Sequence, residues 1–201
     1  LSGSMTTANN AGCYATWNPN DKSSATTLSA GNLLYGSTSA GSAGSGNSFG
    51  IRSTIGMSTG KWYAEFTKAH SDTDSQTPGV GTWDIVLGSY NSYMAATSGV
   101  NGLPNSTSLH AGIDQAGNLG VKFGSSLTYT TPGTTFTTGD ILSYALDCDA
   151  KTLAVYKNNV QIGSTLSWSG NTPISPLFFF ASQTTNWHTP GWYGNFRSEE
   201  H

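Results

Sequence analysis

The stretch from Gly139 to Gly163, GDILSYALDCDAKTLAVYKNNVQIG, restricts the possible folds of this chain more than any other segment. It encodes short β-strands joined by one polar turn and one tight hairpin, with almost no residue to spare. Ile141, Tyr144, Leu146 and Cys148 supply apolar side chains to a buried strand, and Asp149-Ala150-Lys151 breaks the apolar run as a turn does. Leu153 and Val155 then alternate with Ala154 and Tyr156. The pair Asn158-Asn159 tolerates the positive φ of a tight hairpin, and the chain returns through Val160 and Ile162.

The rest of the chain is written in the same way. Its 201 residues are enough for one sizeable core, and no shift in composition marks a second. No long window repeats apolar residues at three and four, so little helix is expected. Short alternating runs recur instead: Trp62, Ala64 and Phe66; Trp83, Ile85 and Leu87; Ile113, then Leu119, Val121 and Phe123 after a turn at Gln115 to Asn118. The continuous run Leu177 to Ala181 reads as a strand covered on both sides. Regularly spaced short strands, separated by Gly, Asn and Pro, predict an all-β, antiparallel two-sheet sandwich.

The Gly139–Gly163 stretch also resembles the core of the SPRY domain family, whose members read GD-apolar-ALD-apolar-DA-TL-YKNG before a short return strand. Ile51-Arg52-Ser53-Thr54-Ile55-Gly56 and Gly60-Lys61-Trp62-Tyr63-Ala64-Glu65-Phe66 are similar to the family's segment leading into its G-K-aromatic-Y-x-E-aromatic strand. Pro176 to Ala181 is similar to the penultimate core strand, and Trp192-Tyr193-Gly194-Asn195-Phe196 to the closing strand, with Arg197 where a final glycine is usual. The resemblance spans residues 13–197 and implies a concanavalin-like jelly roll. Trp17-Asn18-Pro19-Asn20-Asp21-Lys22 and the Ser/Thr/Gly-rich spacers look most like SPRY domains of tailed-bacteriophage structural or tail-fibre proteins. The domain reading is thus a leader with a cloning remnant over 1–12, one domain over 13–197, and a tag-like tail over 198–201.

Charge argues against several partner classes. With 8 Lys+Arg against 11 Asp+Glu and a net charge of −3, no basic stripe is available to neutralise phosphates, so nucleic acid is not expected. The longest apolar run falls far short of the roughly 20 residues that span a bilayer, so no membrane insertion is expected. Low charge and abundant Ser, Thr, Asn and Gly suit an extracellular or virion surface. No signal peptide follows Met5, which a virion protein assembled inside a bacterium would not need. Cys13 and Cys148 could pair, but Cys148 stands where the SPRY pattern takes a buried aliphatic residue, so it reads as a free, packed thiol.

Catalytic and metal signals are weak. Gly46-Asn47-Ser48-Phe49-Gly50 matches G-x-S-x-G, but a nucleophile elbow needs a strand before the serine and a helix after it, and here a Gly/Ser-rich run precedes it. Glycoside hydrolysis on a sandwich needs two carboxylates across a cleft, and of the glutamates only Glu65 lies outside the tail. Asp147-Cys148-Asp149 belongs to the strand-turn signature and reads as turn capping. Asp72-Thr73-Asp74 beside His70 lacks the glycine and glutamate spacing of a calcium loop. His110 reads as a satisfied histidine at a strand end, and Asn105-Ser106-Thr107 is a glycosylation sequon without meaning in a bacterial host. No catalytic residue, metal or cofactor is assigned.

Recognition by loops remains. Sandwich strands give rigidity while loops vary at little cost to the core. Three loops carry more aromatic and polar side chains than a connection needs: Ser89 to Ser108 with Tyr90, Asn91 and Tyr93; Ser167 to Pro176 with Trp168 and Asn171; and Ser182 to Gly191 with Trp187 and His188. Exposed Trp and Tyr offer stiff contact area and faces for stacking on sugar rings. Trp192 reads as a plug for the core, while Trp187 fits either role. The candidate ligand-binding residues are therefore Tyr90, Asn91, Tyr93, Trp168, Trp187 and His188. The expected function is a non-catalytic recognition module of a phage virion or tail fibre, contacting a host-surface glycan or protein. The alternatives are a decoration domain bound to other virion proteins and an adaptor clasping a short peptide. A homotrimer of the full-length protein would suit either virion role.

Overall fold

Fifteen strands lie among the residues that the computed structural model describes, which are 15–22, 26–37, 49–69, 78–82, 109–113, 117–124, 126–173, 176–183 and 191–197. In chain order they are β1 Trp17–Lys22, β2 Thr26–Ser29, β3 Leu34–Ser37, β4 Phe49–Ser53 and β5 Lys61–Lys68. Then come β6 Gly79–Thr82, β7 Leu109–Ile113, β8 Leu119–Phe123, β9 Ser126–Thr130 and β10 Ile141–Asp147. The last five are β11 Thr152–Lys157, β12 Val160–Gln161, β13 Leu166–Ser167, β14 Leu177–Gln183 and β15 Trp192–Arg197. None of the described residues is helical.

The strands form two antiparallel sheets. One runs β1-β4-β14-β6-β7-β8-β9, the other β12-β11-β10-β5-β15-β3-β2, with β13 paired to β11. The predicted two-sheet β-sandwich is the architecture observed. Strand β5 lies at the centre of the second sheet, in register with β10 on one side and β15 on the other, so that Phe66 stands opposite both Leu142 and Gly194. Residues directly opposite share a face, which aligns Ala64 and Phe66 with Leu142 and Tyr144 and with Phe196. Against them the first sheet presents Ile51, Leu177, Phe179, Val80, Ala111 and Ile113, all buried in one core.

Aromatic rings fill the middle of that core. The Phe66 ring stacks on Trp17 at 5.7 Å between centroids and meets Phe196, Tyr144 and Phe179 edge-on at 5.5, 5.7 and 5.9 Å. The Tyr144 hydroxyl, carried into this apolar layer, donates to the Pro78 carbonyl, so its polar tip is satisfied where its ring is buried. Trp192 is fully buried, as expected of a core plug, with its ring 5.8 Å from that of Phe136. The run Leu177 to Ala181 is covered on both faces: Phe179 points between the sheets, and Phe180 is fully buried with its ring 4.5 Å from that of His110.

Two details of the Gly139–Gly163 stretch differ from the sequence reading. The inward residue that opens β10 is Leu142, fully buried, while Ile141 is 37% exposed. Adjacent apolar residues leave the phase of a strand open, and here pairing of Leu142 with Phe66 decides it. Strand β10 also ends at Asp147, so Cys148 belongs to the turn, half-buried against the core and free. Burial, then the Asp149 and Asp147 carboxylates, push its thiol up to about 11 and keep it unreactive at neutral pH.

The hairpin is as expected. Asn158 and Asn159 have φ of 48° and 67°, the doubly positive combination that matches strand twist. Asn158 also ties the hairpin to β10, accepting from the Ile141 N–H at 2.8 Å and donating to Asp140 at 2.8 Å. Asn159 is exposed, and glycine adopts its φ without steric cost. Asn159→Gly is therefore expected to stabilise the domain by about 0.5 kcal/mol, raising Tm by about 1–2 °C in a thermal melt. A lower Tm would mean that the Asn159 side chain holds the turn.

Candidate functional site

Of the six candidate binding residues, Tyr90, Asn91, Tyr93, Trp187 and His188 lie outside the described residues. Trp168 is described, and it corrects the expectation of an exposed stacking surface: only 3% of it is accessible. Its burial has a local cause. Leu166 and Ser167 form β13 and pair with Leu153 and Thr152 of β11, which fastens the chain to the second sheet immediately before Trp168. The Trp168 N–H then donates to the Lys151 carbonyl at 3.1 Å, and its own carbonyl accepts from Asn171 at 2.8 Å. The indole so held packs into the core and forms part of the inner end of an open cleft.

The cleft lies at the edge where β9 closes the first sheet. Leu119, Val121 and Phe123 of β8 stand opposite Thr130, Thr128 and Ser126 of β9 and share their face. Leu119 belongs to the core, so this is the face turned toward the second sheet. Yet Ser126, Thr128 and Thr130 are exposed. The facing wall is built from Leu166, Trp168 and the hydroxyl residues Ser164 and Thr165, with Asn171 at the rim. The enclosed space is about 300 Å³. A second, separate depression of about 300 Å³ lies nearby, between Pro132, Val160 and Gly163. Gly163 packs closely between the two, since a Cβ there would come within 2.9 Å of the Leu119 side chain and 3.6 Å of Pro132.

Among the described residues, no Asp, Glu, Lys, Arg, His or Cys lines the first cleft. Its groups hydrogen-bond as hydroxyls and one amide, or offer apolar contact. Lys157, which borders the second depression, is engaged by Asp140 at 2.9 Å and by the Thr135 carbonyl at 2.7 Å. Sequence reading placed Leu119, Val121 and Phe123 on one face and missed this cleft. The available signal was the next strand, Ser126-Leu127-Thr128-Tyr129-Thr130, whose inward positions are all hydroxyls.

The remaining motifs fall where structure explains them. Phe49 and Gly50 begin strand β4, so no helix follows Ser48 and the nucleophile-elbow geometry is not met. Asp147 caps the turn as expected, accepting from the Asp149 and Ala150 N–H groups at 3.1 and 2.8 Å, and Asp149 accepts from Gly60 N–H at 3.1 Å. His110 is the second residue of β7 and fully buried; that burial, then nearby Lys122, holds its pKa well below the ordinary value. His70, Asp72, Asp74 and Asn105 lie outside the described residues. Among the described residues no group of three His, Cys, Asp or Glu could hold a metal ion.

No protein-family model matches the chain, and no curated protein sequence matches it significantly. Solved structures do. The SPRY domain of human HERC1 superposes with a TM-score of 0.61 at 16% identity, covering 90% of this chain and 96% of that domain. The PSpry domain of TRIM65 gives a TM-score of 0.54 at 17% identity, covering 92% and 93%. At these identities the likeness speaks for backbone architecture, and the chain has the fold of a SPRY domain.

Proposed function

We propose that this chain is a non-catalytic recognition domain of a tailed-bacteriophage virion or tail fibre that holds a component of the host surface. The observation that carries the reading is the open cleft beside Trp168. It offers shape, apolar contact and neutral hydrogen-bonding groups on a rigid sandwich, with no titratable acid or base except Tyr129 among the described residues that line it. Such a lining suits reversible binding. The virion assignment rests on the Trp17–Lys22 opening and the Ser/Thr/Gly-rich spacers, which resemble phage SPRY domains. Per-site affinity is expected at about micromolar to millimolar, and repeated copies on a fibre would strengthen it.

The test is binding of the fluorescently labelled domain, alone and multimerised, to a panel of intact bacterial strains. Saturable binding to a subset of strains is the expected result. Absence of binding to every strain, even when multimerised, would overturn the reading.

One observation favours a decoration domain as the second reading. On the outer face of the second sheet, Tyr193, Thr67 and Ile141 stand in one row across three strands, and Tyr193 and Ile141 are 43% and 37% exposed. Such a row could pack against a neighbouring virion protein. It would then be protected from hydrogen exchange in assembled particles but not in the isolated domain.

A further inference from the structure

We propose that the cleft between β8–β9 and β13 binds an uncharged saccharide chain. This rests on the recognition reading above and names its ligand class and its site.

The first argument is the inverted alternation of β9. An edge strand of a closed sandwich turns its apolar residues inward and its polar ones out. Here the inward positions are Ser126, Thr128 and Thr130, all exposed, while the outward ones are Leu127 and Tyr129, the latter 47% exposed. Crossing from β8 to β9 on the inward face, an apolar row of Leu119, Val121 and Phe123 gives way to a row of hydroxyls. Adjacent strands lie about 4.8 Å apart, so the step from apolar to hydroxyl occurs over the width of one sugar ring. A pyranose has the matching construction, with C–H groups on its face and hydroxyls around its edge.

The second argument is charge. Among the described residues, none of the ligand-facing groups of this cleft is a cation or a carboxylate. An ionic ligand would lose hydration there with no opposite charge to compensate, whereas a neutral polyol loses only hydrogen bonds that the lining can return. Serine and threonine hydroxyls both donate and accept, as sugar hydroxyls do, and Asn171 on the facing wall adds an amide with both functions.

The third argument is adjacency. The second depression adjoins the cleft across Gly163, whose backbone packs closely against the Leu119 side chain of the cleft wall. Each space is at the lower end of the range for small-molecule sites, about 300 Å³. Two such neighbouring spaces suit separate units of one chain.

The test is electrophoresis of the whole chain through native gels cast with dextran, yeast mannan, galactan or glycogen, with alginate as an acidic counterpart. The expected result is retardation in at least one neutral gel. It should be weakened at least tenfold in Thr128→Lys, which places a charge and a longer side chain in the cleft, and retained in Thr128→Ser. Thr128 is exposed, and circular dichroism of both variants checks that each is folded. No retardation in any neutral gel, retardation by alginate alone, or retardation that Thr128→Lys leaves unchanged would each overturn the proposal. Cell binding that survives periodate but not protease would identify a protein partner; it would overturn the saccharide inference and leave the recognition reading standing. Loss of all cell binding sinks both.

Discussion

Phe66→Ala is expected to cost about 3–5 kcal/mol of folding stability. Phe66 is fully buried and central in both senses: β5 is the middle strand of its sheet, and the ring contacts four other aromatic rings. Those four come from strands β1, β10, β14 and β15, which both sheets contribute. Removing the ring forfeits its transfer free energy and leaves a cavity that rigid aromatic neighbours fill poorly. Small domains have about 5–15 kcal/mol in hand, so the variant should lose a large share of its stability. Urea denaturation reads this as a lower midpoint at unchanged slope. Phe66→Leu should recover about half of the loss by filling part of the space. A loss below about 1 kcal/mol for Phe66→Ala would show that the sheets close over the gap, and that the ring cluster does not set the sheet spacing.

The sequence made β5 readable because its alternation is strict and it lies between two other patterned strands. Lys61-Trp62-Tyr63-Ala64-Glu65-Phe66 can point only one way if Ala64 and Phe66 are buried. The start of β10 was less determinate, because Ile141 and Leu142 are both apolar and only the register with Phe66 selects between them. Trp168 was misread for a different reason. The strand that turns it inward is two residues long, too short for any period to register, and its pairing with β11 is a long-range event. The cleft was hidden in a strand that violates the usual rule. Ser126, Thr128 and Thr130 look like the solvent face of an ordinary edge strand, and only the register with Leu119, Val121 and Phe123 shows that they face inward. A sequence states which residues alternate. It does not state which of a strand's two alternating rows turns inward, and that choice lines the cleft with hydroxyls.

Asp140→Ala is expected to destabilise the domain by about 2–3 kcal/mol at pH 7, with a loss that shrinks on acidification. Asp140 sits where the chain enters β10, and its side chain is 11% exposed. Its carboxylate accepts from the Thr137 N–H at 2.6 Å, the Thr137 hydroxyl at 3.1 Å and the Asn158 amide at 2.8 Å, and pairs with Lys157 at 2.9 Å. Burial alone would raise its pKa. The hydrogen bonds from Thr137, Asn158 and Lys157 outweigh burial and lower it from 3.8 to about 2. A carboxyl that titrates lower in the folded than in the unfolded chain stabilises the fold while it is ionised. That contribution is complete above about pH 5 and fades as the pH falls through the unfolded value toward the folded one. Discounted for screening at this partly accessible site, it amounts to about 1–2 kcal/mol. The remainder of the loss is pH-independent, from the Thr137 and Asn158 donors left without their acceptor where the hairpin joins β10. Urea denaturation of wild type and variant at pH 7 and at pH 2.5 separates the two parts. The gap should narrow by about 1 kcal/mol at the lower pH. A gap equal at both pH values would show that Asp140 holds this corner by shape and neutral hydrogen bonding, and that its charge contributes nothing to joining the hairpin and the strand.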